Sequence, residues 1–320
     1  MSLVVPASAV DMAANKGKAV WFISPTQTAG YVRRVSEYFA AAARAAGMTP
    51  TVFDGKDEPE RFNEGIDEAV AAKAAGIVMW AIPPEAVPNA LAQAKAAHIP
   101  VIAAATGVPN PTNGTVAETI SVNLEQEGAA LAEVAAAALG CKVDAAITLD
   151  TSQKALTSEA AAAKAELAKL CPSTCKSQEQ TMSLATMATA LGPATQTLLQ
   201  REPGLNALLV TFDTAAFYMA PAIAQTGHHV LLVSTDGLPE NLDLIREGKQ
   251  AADISYPPAQ YAGWLMLDQL GRAILKAPLT NPELPMHIFD KENLPSSNAF
   301  SALWPKMTGY EAAFEAEWKS

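Results

Sequence analysis

A short run of β-branched and apolar residues, then a loop, then an alanine-rich amphipathic helix recurs along this 320-residue chain, and the repetition leaves few folds open. The pattern appears first as Lys18–Ser24, a loop over Pro25–Gly30 and a helix predicted from Tyr31 to Ala46. Gly47 stops that helix, because glycine enters left-handed backbone without strain. The second unit is Thr49–Phe53 with a helix predicted over Pro59–Ala75 and stopped by Gly76. The third is Ile77–Ala81 with a helix over Glu85–Ala97, and a fourth strand follows at Val101–Ala104. Continuously apolar strands that alternate with helices predict a parallel sheet covered on both faces, so this half reads as doubly wound α/β.

The same grammar restarts after Gly140. Strands are expected at Ala145–Leu149, near Lys176–Gln180, at Leu208–Phe212 and at Val230–Ser234. Helices are expected at Ser158–Leu170, Ala185–Arg201 and Thr214–Gln225. Segments 76–104 and 205–234 read as one strand–loop–helix–strand unit used twice. Two copies, each half a chain apart, exclude a periodic solenoid and predict two similar lobes. A proline-rich stretch over Ala277–Pro285 precedes the apolar run His287–Phe289. Beyond it Trp304, Tyr310, Phe314 and Trp318 predict a C-terminal helix pinned onto one lobe.

Half of the residues are hydrophobic and 17% are charged, enough for a large core, and the net charge is −11. That balance opposes nucleic acid, anionic membrane surfaces and phosphorylated substrates as partners. No apolar run reaches the ~18–20 residues that span a bilayer. The start, Met-Ser-Leu, lacks the charged and apolar regions of a secretory signal. The chain therefore reads either as cytosolic or as a mature form whose signal was removed. Of three cysteines, Cys171 and Cys175 bracket the turn Pro172-Ser173-Thr174, and Cys141 follows a helix-like segment. One disulfide with one free thiol, favouring an oxidising compartment, and three unpaired thiols both fit.

Catalytic signatures are missing. GxGxxG, GxxxxGK, GxSxG and HExxH do not occur. Ser173–Lys176 matches SxxK in a turn rather than at a helix start, and Asn113-Gly114-Thr115 reads as a turn. His228 and His229 are adjacent and cannot share a helical face, and His98 and His287 are remote from them. The expectation is no enzyme, no metal and no cofactor. Open α/β sheets bind ligands beyond the carboxyl ends of their strands, so those positions carry the candidates. They are Thr28 and Tyr31 after the first strand, Trp80 at the end of the third, and Thr106 after the fourth. In the second half they are Asp150, Phe212, Asp213 and Asp236, with Tyr256 after Ala252–Ser255. Aromatic faces stack on C–H-rich sugar faces and carboxylates accept bonds from vicinal hydroxyls, so the set fits a neutral hydroxylated molecule. Asp213 also fits a helix cap, and Trp80 and Phe212 also fit core packing.

Two stretches carry a resemblance: AGIVMWAIPPEAVPNALAQAKAAHIPVIA, and VLLVSTDGLPENLDLIREGKQAADISYPPAQYAGWLMLDQL, with TDG, EGK and a strand leading into PxxQ. Over roughly residues 17–290 the chain resembles the type I periplasmic sugar-binding proteins, the ribose-binding-like receptors of ABC importers. The resemblance implies an α/β fold of two Rossmann-like lobes with parallel sheets, joined by a three-stranded hinge that closes on the sugar. Residues 17–107 with 256–286 would form the N-terminal lobe. Residues 108–255 with 287–320 would form the C-terminal lobe and its extension. It also implies no catalysis, delivery to a membrane permease, a monomer, and a periplasmic or lipid-anchored cell-surface location.

Carried onto this sequence, the motif's aspartate falls on Asp236, its stacking aromatic on Tyr31, and the residue before PxxQ on Tyr256. The Asn-Asp pair falls on Phe212-Asp213, and the Asp-Arg pair after IPVI on Ala105-Thr106. The second-lobe arginine is replaced, with Ser158 and Glu159 nearby. Without those arginines the implied ligand is a sugar alcohol or small neutral monosaccharide, or an amino sugar if Glu159 points inward. The same fold serves the effector domains of LacI-type repressors, but the 16 or so residues before the first strand are neither basic nor helix-turn-helix-like.

Overall fold

The computed structural model describes residues 9–106, 114, 116–120, 123–255, 258–280 and 286–319. They form two compact units, Met1–Val122 with Pro257–Pro285 and Trp304–Ser320, and Asn123–Tyr256 with Met286–Leu303. The first unit holds β1 (Ala19–Ser24), α1 (Gly30–Ala45), β2 (Thr49–Asp54), α2 (Pro59–Ala71), β3 (Gly76–Trp80), α3 (Pro88–Ala96), β4 (Val101–Ala104) and β5 (Glu118–Ile120). Its strands are all parallel, in the order β2-β1-β3-β4-β5. One face of the sheet buries Ile23, Ile77 and Met79 against Ile66 of α2 and Leu91 of α3.

The second unit holds α4 (Leu124–Ala138), β6 (Asp144–Leu149), α5 (Lys154–Leu170), β7 (Lys176–Thr181), α6 (Met187–Arg201), β8 (Ala207–Val210), α7 (Asp213–Thr226), β9 (Leu231–Thr235), α8 (Pro239–Arg246) and β10 (Ala252–Ser255). Then α9 (Ala259–Leu275) returns to the first unit, where it packs on α1, β3 and β4. β11 (His287–Asp290) closes the second sheet, antiparallel to β10, in the order β11-β10-β9-β8-β6-β7. Leaving β11 aside, the second sheet repeats the first strand for strand. The twofold use of one unit expected from segments 76–104 and 205–234 is thus seen as β3-α3-β4 and β8-α7-β9.

Several expected boundaries move, each for a local reason. The helix expected to reach Ala75 ends at Ala71, and Lys73 rather than Gly76 takes the left-handed conformation, φ 55°. Gly76 instead opens β3, where a Cβ would stand 2.6 Å from Leu270 Cδ1. The helix expected over 85–97 is a 3-10 turn, Pro84–Ala86, followed by α3 starting at Pro88, whose fixed φ suits a first helical position. Strand β5 was not expected. Residues 304–319 belong to the first unit, not to the C-terminal lobe as expected, and so do residues 116–120. The C-terminal helix Tyr310–Glu317 docks on α9: the Trp318 ring stacks on Trp264 at 5.2 Å, and its Nε1 donates to Asp268 Oδ1 at 2.9 Å. Cys171 and Cys175 form a disulfide that closes the turn after α5, and Cys141 is free and exposed.

Helices α4 and α5 approach so closely that a Cβ on Gly128 would stand 2.1 Å from the Glu159 carbonyl oxygen. Gly128→Ala is therefore expected to cost about 1–3 kcal/mol, the usual penalty of overpacking, read as a lower midpoint in denaturant unfolding. An unshifted midpoint would mean that the two helices part without penalty.

Candidate functional site

In each sheet the direction of strand succession reverses once, between β1 and β3 and between β6 and β8. Beyond the carboxyl ends of strands at such a reversal a parallel sheet leaves room for a ligand. In the first unit the loop after β1 is braced: Gln27 N donates to Asp54 Oδ1 at 3.1 Å and Gln27 Nε2 to Ser24 Oγ at 2.8 Å. The Thr28 hydroxyl lies 2.9 Å from that of Thr26. The brace sets the start of α1, and its first turn carries Tyr31. Across the reversal, Trp80 ends β3, and the Tyr31 and Trp80 rings lie 5.9 Å apart at 48°. Both side chains are buried.

Immediately after β3 and β4 the backbone turns through left-handed, non-glycine residues, Ala81 at φ 52° and Ala105 at φ 54°. Each such residue costs about 1–3 kcal/mol, strain that tends to collect at functional sites. Thr106 follows Ala105; it is buried and its hydroxyl has no hydrogen-bond partner among the described residues. A buried hydroxyl without a partner forfeits about 1–3 kcal/mol, which a ligand group could restore. The first unit therefore brings together Thr28, Tyr31, Trp80 and Thr106 at one end of its sheet. Gly107 and Tyr256 lie outside the described residues.

The second unit gathers carboxyls at the matching end. Asp150, after β6, is committed to local structure: Oδ1 accepts from Ser152 N at 2.9 Å, and Oδ2 from Leu184 N at 2.8 Å. The Phe212 ring belongs to the apolar core with Leu208, Val210 and Met219, which favours the packing role open to it. Asp213 does cap, but not its own helix. Its Oδ2 accepts from the N–H of Leu238, the residue before α8, at 2.6 Å, and its Oδ1 accepts from the Ser234 hydroxyl. Asp236, after β9, takes the N–H of Asp213 on Oδ2 at 3.3 Å and keeps part of its surface exposed. Its backbone is forced to φ 123°, followed by Gly237 at φ 77°, where a Cβ would stand 2.0 Å from Ser255 Oγ.

Glu159, in the second turn of α5, is buried beside the Thr235 hydroxyl, and faces Asp236 closely enough for the two charges to oppose each other. Burial pushes the Glu159 carboxyl well up, and the negative charge of Asp236 pushes it further. Burial likewise raises Asp236, with the charge of Asp213 next, and lifts Asp213 itself to about 7. Sequence reasoning missed Asp253, a buried acid inside β10, whose Oδ1 accepts from Gly237 N at 2.9 Å. A carboxylate within the apolar run Ala252–Ser255 was the signal that could have found it. Among the described residues no set of three His, Cys, Asp or Glu side chains is placed to hold a metal ion.

Residues 20–276 match the periplasmic binding protein domain. The chain belongs to the periplasmic binding protein family. It is 39% identical over 72 residues to the D-allose-binding periplasmic protein of Escherichia coli K12, a match that spans 22% of this chain and 23% of that protein. Its fold is similar to that of an ABC sugar transporter subunit from Rhodobacter sphaeroides, with a TM-score of 0.77, 17% identity, and coverage of 87% of this chain and all of that one. It is also similar to an ABC transporter solute-binding protein from Agrobacterium vitis with bound allitol, with a TM-score of 0.75, 16% identity, and coverage of 87% and 97%. These likenesses show the two-lobed α/β fold of the family, whose members work outside the cytoplasm. No helix among the described residues is long and apolar enough to cross a membrane.

Proposed function

We propose that this chain is an extracytoplasmic receptor that captures a small neutral polyhydroxylated molecule, a sugar alcohol or monosaccharide, and delivers it to the permease of an ABC importer. The observation that carries the reading is the kind of side chain each unit gathers at the carboxyl ends of its own strands. The first presents the Tyr31–Trp80 aromatic pair and a Thr106 hydroxyl without a partner among the described residues, and the second the carboxyls of Asp236 and Glu159. None of these groups is cationic. Aromatic faces and carboxylate acceptors together suit a ligand rich in C–H faces and hydroxyl donors. The D-allose-binding relative and the allitol-bound neighbour bear on the same ligand class. The first relative is a periplasmic protein and the second an ABC transporter solute-binding protein, which favours the receptor reading over a repressor effector domain. We assign the chain binding rather than catalysis, action as a monomer, hinge closure as its mode of capture, and no part in nucleic-acid recognition, which its net charge of −11 opposes.

The test is a thermal-shift panel of sugars, sugar alcohols, amino sugars, amino acids and nucleotides. A ligand that binds only the folded chain at a hundredfold excess over Kd adds about 2.7 kcal/mol, a rise of a few degrees in midpoint. A selective rise with a hexose, pentose or polyol is expected. A rise with an amino acid or nucleotide and none with any sugar would overturn the ligand reading.

A further inference from the structure

At the amino ends of its strands the first unit holds an open cleft of about 530 Å³, within the size range of small-molecule sites. Lys18, Ala75, Pro100 and Ala117 line it, and each stands immediately before a strand, β1, β3, β4 and β5 in turn. The four strands are parallel, so these residues share one edge of the sheet. β1 runs six residues, ~20 Å, and that length separates the cleft from the opposite edge, where Tyr31 and Trp80 lie.

The lining combines cations with apolar surface. Lys18, Lys95, His98 and Lys276 supply nitrogen, and the half-buried Pro100 and Ile274 supply hydrocarbon. Among the described residues no Asp or Glu lines the cleft, although acids outnumber bases 33 to 22 in the chain. Lys95 in the last turn of α3 and Lys276 at the end of α9 stand where a helix favours a cation. That preference does not account for Lys18, which leads into a strand and whose Nζ donates to Asn15 Oδ1 at 2.8 Å. Nor does it account for the missing counter-charges. Among the described residues Lys95 and Lys276 form no ion pair, whereas Arg61, Lys164, Lys169 and Arg246 each meet a carboxylate. Three lysines from three separate elements thus converge on one cleft without an acid.

We propose that this cleft is a second binding site, for an organic anion with an apolar body: a carboxylate on a hydrocarbon or aromatic frame. Lysine ammoniums are compact point charges, which attract an anionic head without demanding the two-pronged geometry that arginine reads. Pro100 and Ile274 offer the body a surface out of water, so the site favours such a ligand over acetate or inorganic phosphate, which have no body to bury. It shares no residue with the candidate site at the carboxyl ends, and it stands whether or not that site takes a sugar.

Decanoate, kept below its micellar concentration, is the probe. Titration calorimetry with the full chain is expected to give saturable one-to-one binding, weakened about tenfold in the double variant Lys95→Gln/Lys276→Gln, which loses two exposed charge contacts. Both side chains are exposed, so the variant is expected to keep the wild-type unfolding midpoint. Wild-type affinity should fall as ionic strength rises from about 0.01 M to about 0.15 M, and the variant should respond less. Amine acetylation of the wild type locates the site without any substitution: decanoate should protect Lys18, Lys95 and Lys276 and leave the exposed Lys142 and Lys291 as reactive as before. No saturation below about 1 mM, no protection of those three lysines, or equal affinity in the variant would overturn the proposal. Acetate or phosphate binding as tightly as decanoate would overturn it by removing the need for the body, and decanol doing so by removing the need for the charge. Capture by phosphatidylglycerol vesicles without saturable decanoate binding would overturn it in favour of a membrane surface.

Discussion

Asp236→Ala is expected to abolish measurable ligand binding while leaving the chain folded. Among the described residues this carboxyl accepts one 3.3 Å bond, from Asp213 N, and of Asp236, Asp213, Asp253 and Glu159 it alone keeps part of its surface exposed. Leaving a buried polar group without its partner costs about 1–3 kcal/mol, so stranding two ligand hydroxyls lowers affinity by at least about thirtyfold. The fold has little to lose, because burial and the charge of Asp213 already disfavour the ionised side chain. Titration calorimetry with the ligand found in the thermal panel reads the first effect and the unfolding midpoint the second. Unchanged affinity would remove Asp236 from the site. A collapsed midpoint would make it a structural residue.

The second large effect is expected far from the carboxyl cluster, on α9. Asp268 and Arg272 form a buried ion pair at 2.8 Å, both side chains fully enclosed, and Asp268 also accepts from Gln269 Nε2 at 2.8 Å and Trp318 Nε1 at 2.9 Å. Asp268→Ala takes from the buried Arg272 guanidinium the carboxylate it meets at 2.8 Å, and breaking a buried ion pair on one side costs about 3–5 kcal/mol. Asp268→Ala should therefore lower stability by about that amount, with loss of the Trp318 anchor included, since the two share one acceptor. Replacing both partners by apolar residues of similar volume should be far milder, because the desolvation of two charges is then relieved. Chemical denaturation of the single and double variants decides this. A loss below about 1 kcal/mol in Asp268→Ala would mean that the pair is not buried in solution.

Much of this architecture was legible in the sequence because parallel strands covered on both faces write themselves as apolar runs. Ala19–Ser24, Val101–Ala104 and Leu231–Thr235 are such runs, and glycine at Gly47, with its left-handed backbone, marks a helix end. Legibility failed where a residue serves a distant partner. Gly76 looked like a helix stop and instead makes room for Leu270. Glu118–Ile120 is too short to show a period. The tail fell to the wrong unit because Trp318 is tied to Asp268, a pairing with no local trace. The candidate site divides in the same way. Tyr31, Trp80 and Asp236 could be picked as candidates because they lie at or just beyond the carboxyl ends of strands, where an open parallel sheet leaves room for a ligand. Asp253 and Gln250 could not, because a polar group buried inside an apolar run declares its purpose only when its partners, here Gly237 and Ser234, are known.

The first unit is assembled from three separate stretches of chain, and the second from a long continuous stretch completed by residues 286–303. During synthesis the two cannot mature in step. The second unit has most of its sheet before α9 emerges, whereas the surface of α9 around Trp264 stays bare until the Tyr310–Glu317 helix has been made. A chain cut short before that point carries a nearly finished second unit and a first unit with an open apolar seam, the kind of surface that chaperones hold and proteases find. Covering Trp264 with Tyr310, Phe314 and Trp318 is therefore a late step in building the first unit.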